Sequence, residues 1–254
     1  MTLSIAIAGA AGRMGAALIR AAAADARFRI VGATERPGAA HEPLPVPVSE
    51  SAATAAADAD AWIDFTAPAA TLAALDALAG TKARAAIIGT TGFSAEEEAA
   101  IAAHARRIAI VRSGNFSLGV NLLAALVEQA AAKLGPAWDI EISEAHHRRK
   151  VDAPSGTALL LGEAAAKARG TELAKVRRTD PRGARPEGAI GFAVTRGGGI
   201  VGKHDVMFAA ERECLVLGHE AFDRAVFADG ALAAALWAAD KPAGLYSMRD
   251  VLGL

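Results

Sequence analysis

The chain has 254 residues, 53% of them hydrophobic, and a formal net charge of −1. This length can bury one large or two modest cores, but no charge-free apolar run reaches the ~18 residues that a membrane span requires. The near-neutral charge and the 5% aromatic content argue against nucleic acid or an anionic membrane as the partner.

The start of the chain and its cysteine content bear on the cellular compartment. No basic segment precedes the first apolar run, so we expect no signal peptide. Cys214 is the single cysteine, which excludes an internal disulfide. Together these features favour a cytoplasmic protein.

The first predicted strand and helix flank a glycine-rich turn. Leu3 to Ala8 is a short apolar run, typical of a parallel-sheet strand that is buried on both faces. Gly9, Gly12 and Gly15 follow in a Gly-x-x-Gly-x-x-Gly spacing and lead into a helical pattern over residues 13–24. Such a turn lets a pyrophosphate approach the backbone at a helix N-terminus. Similar turns also occur in α/β proteins without nucleotides, but in this setting we favour a dinucleotide site.

The second predicted strand, Phe28 to Ala33, ends beside two charged residues. Glu35 follows Gly15 at about the 20-residue spacing at which an acidic side chain hydrogen-bonds the ribose hydroxyls of NAD. Arg36 could instead pair with the 2′-phosphate of NADP. The sequence does not separate the two cofactors, so we expect NADH, NADPH or both, with a preference for NADH.

Three later strand ends carry small or polar residues. Strands are predicted over residues 61–65, 85–88 and 108–111. Because ligands bind at the carboxyl ends of strands in an open α/β sheet, these ends predict one long binding edge. The motifs are Asp64-Phe65-Thr66, Gly89-Thr90-Thr91-Gly92 and Ser113-Gly114-Asn115-Phe116-Ser117.

Two helices between these strands begin at recognisable signals. Pro68 suits the first turn of a helix, with Thr66 as its cap. Ser94 and Glu97 have the spacing of a capping box and predict a second helix that ends near Arg106. The alternating elements predict an α/β fold with a Rossmann-like, doubly wound parallel sheet.

The segment from Glu144 to Thr157 lies between a predicted strand, residues 139–143, and a predicted helix, residues 158–169. A carboxylate at the helix N-terminus could accept hydrogen bonds from backbone amides there. Lys150 adds a positive charge, and a histidine adds a proton that moves near neutral pH. A basic run alone is commonly a solvated face, and Pro-Ser-Gly-Thr alone is commonly a helix cap. Together they favour a cationic site for a carboxylate.

The rest of the second half predicts a mixed or antiparallel sheet covered by helices on one face. Residues 117–134 and 224–239 have helical patterns, and residues 171–187 read as a long surface loop. Strands are predicted over residues 190–195, 200–209 and 213–217. The residues alone therefore predict a two-part α/β enzyme, a nicotinamide-dependent reductase that acts on a small organic acid.

The central motif resembles the substrate-site motif of bacterial 4-hydroxy-tetrahydrodipicolinate reductases, the dihydrodipicolinate reductase family. The resemblance extends to the strand-end motifs and to the C-terminal segment, residues 241–254, and so covers nearly the whole chain. The family often has Ala or Pro where Gly114 stands, and usually has Glu where Lys203 stands. The motif reads Glu144-Ala-His146-His147-Arg-Arg-Lys150-Val-Asp152-Ala153-Pro154-Ser155-Gly156-Thr157-Ala158.

The resemblance implies NAD(P)H-dependent reduction of 4-hydroxy-tetrahydrodipicolinate, a small cyclic dicarboxylate on the route to diaminopimelate and lysine. It implies that His146 donates the proton and that Lys150 assists as an acid or carboxylate anchor. We expect no metal site. The implied substrate contacts are His147, Ser155, Gly156 and Thr157. The implied cofactor contacts are Gly9, Ala10, Ala11, Gly12, Arg13, Met14, Glu35, Gly89, Thr90, Thr91, Ser113, Gly114, Asn115 and Phe116, to which the charge beside Glu35 adds Arg36.

The resemblance also implies a domain organisation and an assembly. Residues 1–117 plus 227–254 would form a discontinuous dinucleotide-binding domain, with the C-terminal segment packed back on the first half. Residues 118–226 would form an α+β domain for substrate binding and for assembly into a homotetramer through its sheet. Two alternatives remain open: a related reductase of another carboxylated imine or carbonyl acid, and a non-catalytic dinucleotide-binding regulator.

Overall fold

The computed structural model describes residues 2–36, 38, 44–180 and 182–254, which form two compact units. The first unit comprises Met1–Leu118 and Ala225–Leu254, and the second comprises Gly119–Arg224. Within the described part of the chain, no helix combines the length and apolarity needed to cross a membrane.

The strands and helices are numbered in chain order. The strands are β1 (Leu3–Ile7), β2 (Phe28–Thr34), β3 (Val48–Ser49), β4 (Ala61–Asp64), β5 (Ala85–Ile88), β6 (Ala109–Arg112), β7 (Asp139–His146), β8 (Arg177–Arg178), β9 (Ile190–Arg196), β10 (Gly202–Ala209), β11 (Cys214–Ala221) and β12 (Gly244–Tyr246). The helices are α1 (Arg13–Ala23), α2 (Ala52–Ala55), α3 (Pro68–Ala77), α4 (Ala95–His104), α5 (Leu118–Leu134), α6 (Gly156–Ala168), α7 (Leu173–Val176), α8 (Ala225–Ala238) and α9 (Met248–Leu252).

The first unit contains a parallel sheet in the order β12-β6-β5-β4-β1-β2-β3. Its central strands are short and almost wholly buried because helices cover both faces. Ile5 packs with Leu18 of α1 on one face. Its neighbour Ala6 packs with Leu75 of α3 and Ile101 of α4 on the other. The predicted Rossmann-like, doubly wound sheet is confirmed.

The C-terminal segment belongs to this first sheet. The strand β12 pairs in parallel with β6, with Leu245 opposite Ile110. The helix α8 buries Leu232 and Ala235 in the same core as β1. Gly230 of α8 lies so close to the Phe116 carbonyl that a Cβ there would overlap it. The small side chains of α8 therefore allow it to pack closely on the first half of the chain.

The second unit contains a mixed sheet in the order β11-β10-β7-β9-β8. The strand β10 runs antiparallel to β7 and β11, whereas β7, β9 and β8 run parallel to one another. Helices α5 and α6 contribute Val127 and Leu161 to a core that also holds Ile140, Ile142 and Phe208 of the sheet. The predicted second α+β region built on a mixed sheet is confirmed.

The structure corrects three of the predicted elements. The strand β7 continues beyond the predicted residue 143, so His146 ends the strand rather than following it. The predicted surface loop over residues 171–187 contains α7 and β8, the latter paired with β9. Thr66 does not cap α3, whose N-cap is Ala67, because the Thr66 hydroxyl donates to Asp64 instead.

Candidate active site

The glycine turn after β1 is tight enough to require its glycines. Gly9 has a φ of 62°, a left-handed conformation that favours glycine, and its carbonyl accepts a hydrogen bond from the Gly12 amide at 2.9 Å. A Cβ at Gly15 would overlap the Gly9 carbonyl oxygen. Gly12 is the N-cap of α1, and it has no side chain that could compete for the first helical amides. These features suit an incoming pyrophosphate.

Glu35 lies against the same turn. Its Oε2 accepts a hydrogen bond from the Ala11 amide at 3.0 Å, and its Oε1 accepts one from the Arg36 amide at 2.9 Å. The Arg36 side chain is 89% exposed. The structure thus brings the predicted ribose-binding carboxylate to the predicted pyrophosphate turn. Arg36 stays on the surface at the end of β2.

A buried carboxylate stabilises the next strand end. Asp64, at the end of β4, is 1% exposed. Its Oδ1 accepts hydrogen bonds from the Thr66 hydroxyl at 2.6 Å and from the Thr90 hydroxyl at 3.2 Å. The Thr71 hydroxyl donates to Thr90 at 2.9 Å. The Thr90 side chain is therefore engaged inside the protein, and Asp64 ties the ends of β4 and β5 together.

An aromatic pair joins the remaining strand-end motifs. The rings of Phe65 and Phe116 meet edge to face with centroids 5.3 Å apart. Gly89 lies against Phe65, and a Cβ there would overlap the ring. The Ser113 hydroxyl donates to the Asn115 carbonyl at 2.6 Å. Apart from Thr91 and Gly114, which are exposed on the same loops, these residues pack along the edge where the sequence predicts dinucleotide contacts.

In the second unit, strand alternation places ionisable side chains at one end of a buried face. Ile140, Ile142, Glu144 and His146 alternate along β7, and all four are buried. On the neighbouring β10, His204 lies opposite Glu144 and is 3% exposed. The face that carries the apolar core at one end therefore carries a carboxylate and two imidazoles at the other.

Glu144 is the centre of this ionisable cluster. Its carboxylate accepts a hydrogen bond from His146 Nδ1 at 2.5 Å and from the Ser155 amide at 3.0 Å. It also receives both terminal nitrogens of Arg196, at 2.7 and 2.8 Å. Burial alone would raise the pKa of Glu144, but the hydrogen bonds from Arg196, His146 and Ser155 outweigh burial and lower it. The carboxylate is therefore charged at neutral pH.

Ser155 caps α6 and extends the cluster to His204. Its Oγ accepts a hydrogen bond from the Ala158 amide at 3.2 Å and lies 2.9 Å from His204 Nε2. The Ser155 hydroxyl would have to leave these partners to contact a substrate directly. Burial, together with the nearby His146, lowers the pKa of His204 to about 4. His204 is consequently neutral at physiological pH.

The predicted cationic residues line the same end of the second unit. His147 Nε2 lies 2.9 Å from a terminal nitrogen of Arg224. Desolvation and the Arg224 charge lower the pKa of His147. Lys150 Nζ lies 2.8 Å from Asp152 Oδ2. Gly156 is exposed at the first position of α6. The arrangement can hold an anion between positive charges and a helix N-terminus while a neighbouring histidine exchanges a proton.

Sequence reasoning missed three residues of this arrangement. Arg196 and Arg224 contact the motif from positions far along the chain, at sequence separations of 52 and 77 residues. His204 joins the motif from β10, where it lies opposite Glu144. The alternation of β7 and β10 was a usable signal, since a strand extended to His146 places Glu144 and His146 on the face of Ile142.

A Rossmann-like unit with a tight glycine turn, together with an α+β unit that holds a histidine–carboxylate cluster beside a helix N-terminus, defines a two-domain oxidoreductase of the nicotinamide-dependent class. Two family models match the chain, described as the N-terminus and the C-terminus of dihydrodipicolinate reductase, over residues 3–116 and 119–252. The chain belongs to the dihydrodipicolinate reductase family.

Similarity to individual proteins supports the same family assignment. A 4-hydroxy-tetrahydrodipicolinate reductase of Caulobacter vibrioides is 54% identical over 99% of this chain and 97% of its own length. One from Rhizobium rhizogenes is 52% identical over the same shares. Among solved structures, a dipicolinate-bound dihydrodipicolinate reductase from Paenisporosarcina sp. TG-14 covers 97% of this chain and 98% of its own. Its TM-score is 0.79 and its sequence identity is 22%, so this match supports the fold alone.

These matches confirm the predicted family, and with it the predicted class of enzyme, an NAD(P)H-dependent oxidoreductase. The predicted nicotinamide cofactor class is confirmed at the same level. The preference between NADH and NADPH stays a prediction, and so do the roles of individual residues.

Proposed function

We propose that the chain catalyses the NAD(P)H-dependent reduction of 4-hydroxy-tetrahydrodipicolinate to tetrahydrodipicolinate on the route to diaminopimelate and lysine. The observation that carries the proposal is the cluster of Glu144, His146 and Lys150 beside the N-terminus of α6, in a chain that is 54% identical to a reductase named for this substrate. The nicotinamide, when bound, supplies a hydride to the conjugated ring that forms once the 4-hydroxyl group has left as water.

We assign the proton to His146. A proton must reach the carbon next to the one that accepts hydride, and His146 is the histidine that a buried carboxylate orients. Lys150 assists as an acid or anchors a substrate carboxylate by a charge-assisted hydrogen bond. In the structure, the Asp152 carboxylate forms an ion pair with the Lys150 ammonium group. A dicarboxylate substrate would compete with Asp152 for that ammonium group.

The remaining motif residues would hold the substrate. The Arg224 guanidinium lies next to His147 and strengthens the local positive potential. Gly156 and Thr157 stand at the first two positions of α6, where a carboxylate meets the positive end of the helix dipole. We assign Ser155 to the same subsite because it is the N-cap residue of α6. Its hydroxyl already contacts Ala158 and His204, so Ser155 would shape the subsite without binding the substrate through that group.

We assign cofactor binding to the first unit. The glycine turn would receive the pyrophosphate, Glu35 the adenosine ribose, and Arg36 a 2′-phosphate. Residues 1–117 plus 227–254 would form the dinucleotide-binding domain, and residues 118–226 the substrate-binding and assembly domain. The assigned cofactor contacts are Gly9, Ala10, Ala11, Gly12, Arg13, Met14, Glu35, Arg36, Gly89, Thr90, Thr91, Ser113, Gly114, Asn115 and Phe116.

We further propose a cytoplasmic homotetramer assembled through the second sheet. Met207 and Val216 lie opposite each other on β10 and β11. Their side of the sheet is the one that faces away from Val206 and the helix-covered core. They are 36% and 55% exposed, which supports a covering partner. Lys203 lies on the same side of β10, with its ammonium 3.6 Å from Asp205.

Oxidation of NADH and NADPH, followed at about 340 nm, tests the reaction and ranks the cofactors. The substrate would be made in place from pyruvate and aspartate semialdehyde by the preceding synthase. We expect rapid oxidation that requires the synthase. Binding of NADH without such oxidation would overturn the proposed substrate and direct the search to other carboxylated imines or carbonyl acids. Turnover of none of these would favour the non-catalytic regulator.

A further inference from the structure

The carboxylate of Glu144 is saturated with donors. Four nitrogens point at its two oxygens: His146 Nδ1, the Ser155 amide and the two terminal nitrogens of Arg196. The side chain is 1% exposed, so water does not replace any of them. A guanidinium and a backbone amide can only donate hydrogen bonds, which leaves both oxygens as acceptors. The His146 nitrogen that faces a charged acceptor must then carry a hydrogen.

We propose that Glu144, held by Arg196, is the positioning residue for His146, fixing its Nδ1–H tautomer so that the proton used in the reaction leaves from Nε2. This inference rests on the proposed function of His146. In the protonated ring both nitrogens carry hydrogen. Loss of the Nε2 proton to the substrate carbon leaves the neutral Nδ1–H ring, which the carboxylate already binds. The transfer therefore needs no rearrangement of the imidazole.

The surroundings of Nε2 support this assignment. Gly202, at the start of β10, lies beside it, and a Cβ on Gly202 would stand 3.1 Å from Nε2. A side chain at that position would press on the imidazole edge that must meet the substrate. The other edge of the ring is fixed by the 2.5 Å contact to Glu144, and His204 packs edge-on at a centroid distance of 5.0 Å.

Arg196 connects the oriented histidine to the loop that carries Lys150. Besides the two bonds to Glu144, its terminal nitrogens donate to the Asp152 carbonyl at 2.7 Å and the Thr195 carbonyl at 2.8 Å. The same guanidinium thus ties the end of β7, the end of β9 and the loop before α6. Its bidentate geometry holds the Glu144 plane in a way that a lysine could not reproduce.

A purely structural ion pair would behave differently in two measurements. Loss of such a pair lowers stability without selecting a tautomer, and it affects substrate affinity and turnover alike. The chain offers a matched control on the same strand. Glu141 of β7 forms an ion pair with Arg185. Because Glu141 alternates with Ile140 and Ile142, its side chain lies on the face of the sheet opposite to Glu144. Glu141→Gln removes an Arg–Glu pair of the second unit without touching His146.

Nitrogen NMR of the full-length protein labelled with ¹⁵N-histidine reads the tautomer directly. The His146→Gln spectrum assigns the His146 signals among the six histidines. At a pH where the ring is neutral, we expect a protonated Nδ1 and an unprotonated Nε2 in the wild type. Glu144→Gln should raise the Nε2–H population, whereas Glu141→Gln should leave the signals unchanged. A wild-type ring protonated at Nε2, or an unchanged tautomer in Glu144→Gln, would overturn the proposal.

Kinetics provide the second readout. We expect Glu144→Gln to lower kcat by at least about 10²-fold, the lower range for positioned proton transfer. The KM for substrate and the Kd for NADH should change far less, and Glu141→Gln should keep wild-type kcat. Equal losses in both variants would refute the positioning role. Absence of turnover in the wild type, with the Nδ1–H tautomer present, would refute the proposed reaction and leave the orientation of His146 intact. The wild-type spectrum tests the proposed Nδ1–H tautomer of His146 even if Glu144→Gln does not fold.

Discussion

At the scale of single residues, His146 is the side chain whose replacement should separate chemistry from binding. His146→Gln keeps a polar side chain but removes the imidazole that would donate the proton. We expect turnover to fall by about 10²–10⁴-fold, the usual contribution of a positioned proton donor. NADH affinity, measured by fluorescence titration, should stay the same, because the assigned cofactor contacts all lie in the first unit. Unchanged turnover would remove His146 from the acid role.

Lys150 should behave differently because it acts on both turnover and affinity. Lys150→Ala removes an ammonium that could bind a substrate carboxylate, and charge-assisted hydrogen bonds are about twice as strong as neutral ones. We therefore expect a higher substrate KM together with a lower kcat in steady-state assays. Lys133→Ala, near the end of α5, is a suitable control for the loss of a positive charge. A substrate KM unaltered by Lys150→Ala would argue against the anchoring role.

His204 should make stability depend on pH. Its folded-state pKa is lowered from 6.5 to about 4, so between these values the unfolded chain binds a proton that the folded protein does not. Stability is then complete above the unfolded pKa and falls as the pH drops. The loss should reach about 2 kcal/mol near pH 5. In urea unfolding, His204→Gln should reduce this acid sensitivity by that amount. Equal pH dependence in both proteins would contradict the prediction.

At the scale of elements, close packing between loops decides the shape of the cofactor edge. Gly89 touches Phe65, and Phe65 packs on Phe116. Gly89→Ala should displace the aromatic pair, lower the melting temperature and weaken NADH binding. Overpacking of this kind typically costs about 1–3 kcal/mol. Gly80→Ala is the matched control, since a Cβ there meets nothing within 4 Å. Similar melting temperatures and NADH affinities for both variants would show that Phe65 adapts freely.

The elements themselves were largely predictable where the pattern was strong. The strand β5 has the predicted bounds, and the Ser94–Glu97 capping box opens α4 as expected. Short elements such as β3, β12 and α9 were missed because two to five residues carry too little periodicity. The sequence predicted a loop over residues 171–187 because the two-residue strand β8 is defined by its pairing with β9 and not by a pattern of its own.

At the scale of the whole molecule, the sheet of the second unit should decide the oligomeric state. Val216→Lys places a charge on the half-exposed face shared with Met207. If that face is covered by another subunit, burial of an unpaired lysine is costly. Sedimentation should then show a shift from tetramer to smaller species. Leu245→Lys, an exposed position of β12 in the first unit, should keep the wild-type mass. A tetramer in both variants would place the interface elsewhere.

The sequence by itself determined the local features of this protein: the glycine turn after β1, the acidic residue that follows it, and the cap at the start of α6. These depend on backbone conformation, short spacing and strand or helix periodicity, which neighbouring residues specify. The family followed from the same short motifs, because their order along the chain is specific.

Only the tertiary structure decided which side chains meet. The pairing of Glu144 with Arg196 spans 52 residues, that of Ser155 with His204 spans 49, and that of Arg224 with His147 spans 77. Such contacts depend on strand order and register, and a shift of one residue would turn each side chain to the other face of the sheet. The burial that keeps His204 neutral and surrounds Glu144 with donors exists only after β7, β9, β10 and α6 have come together.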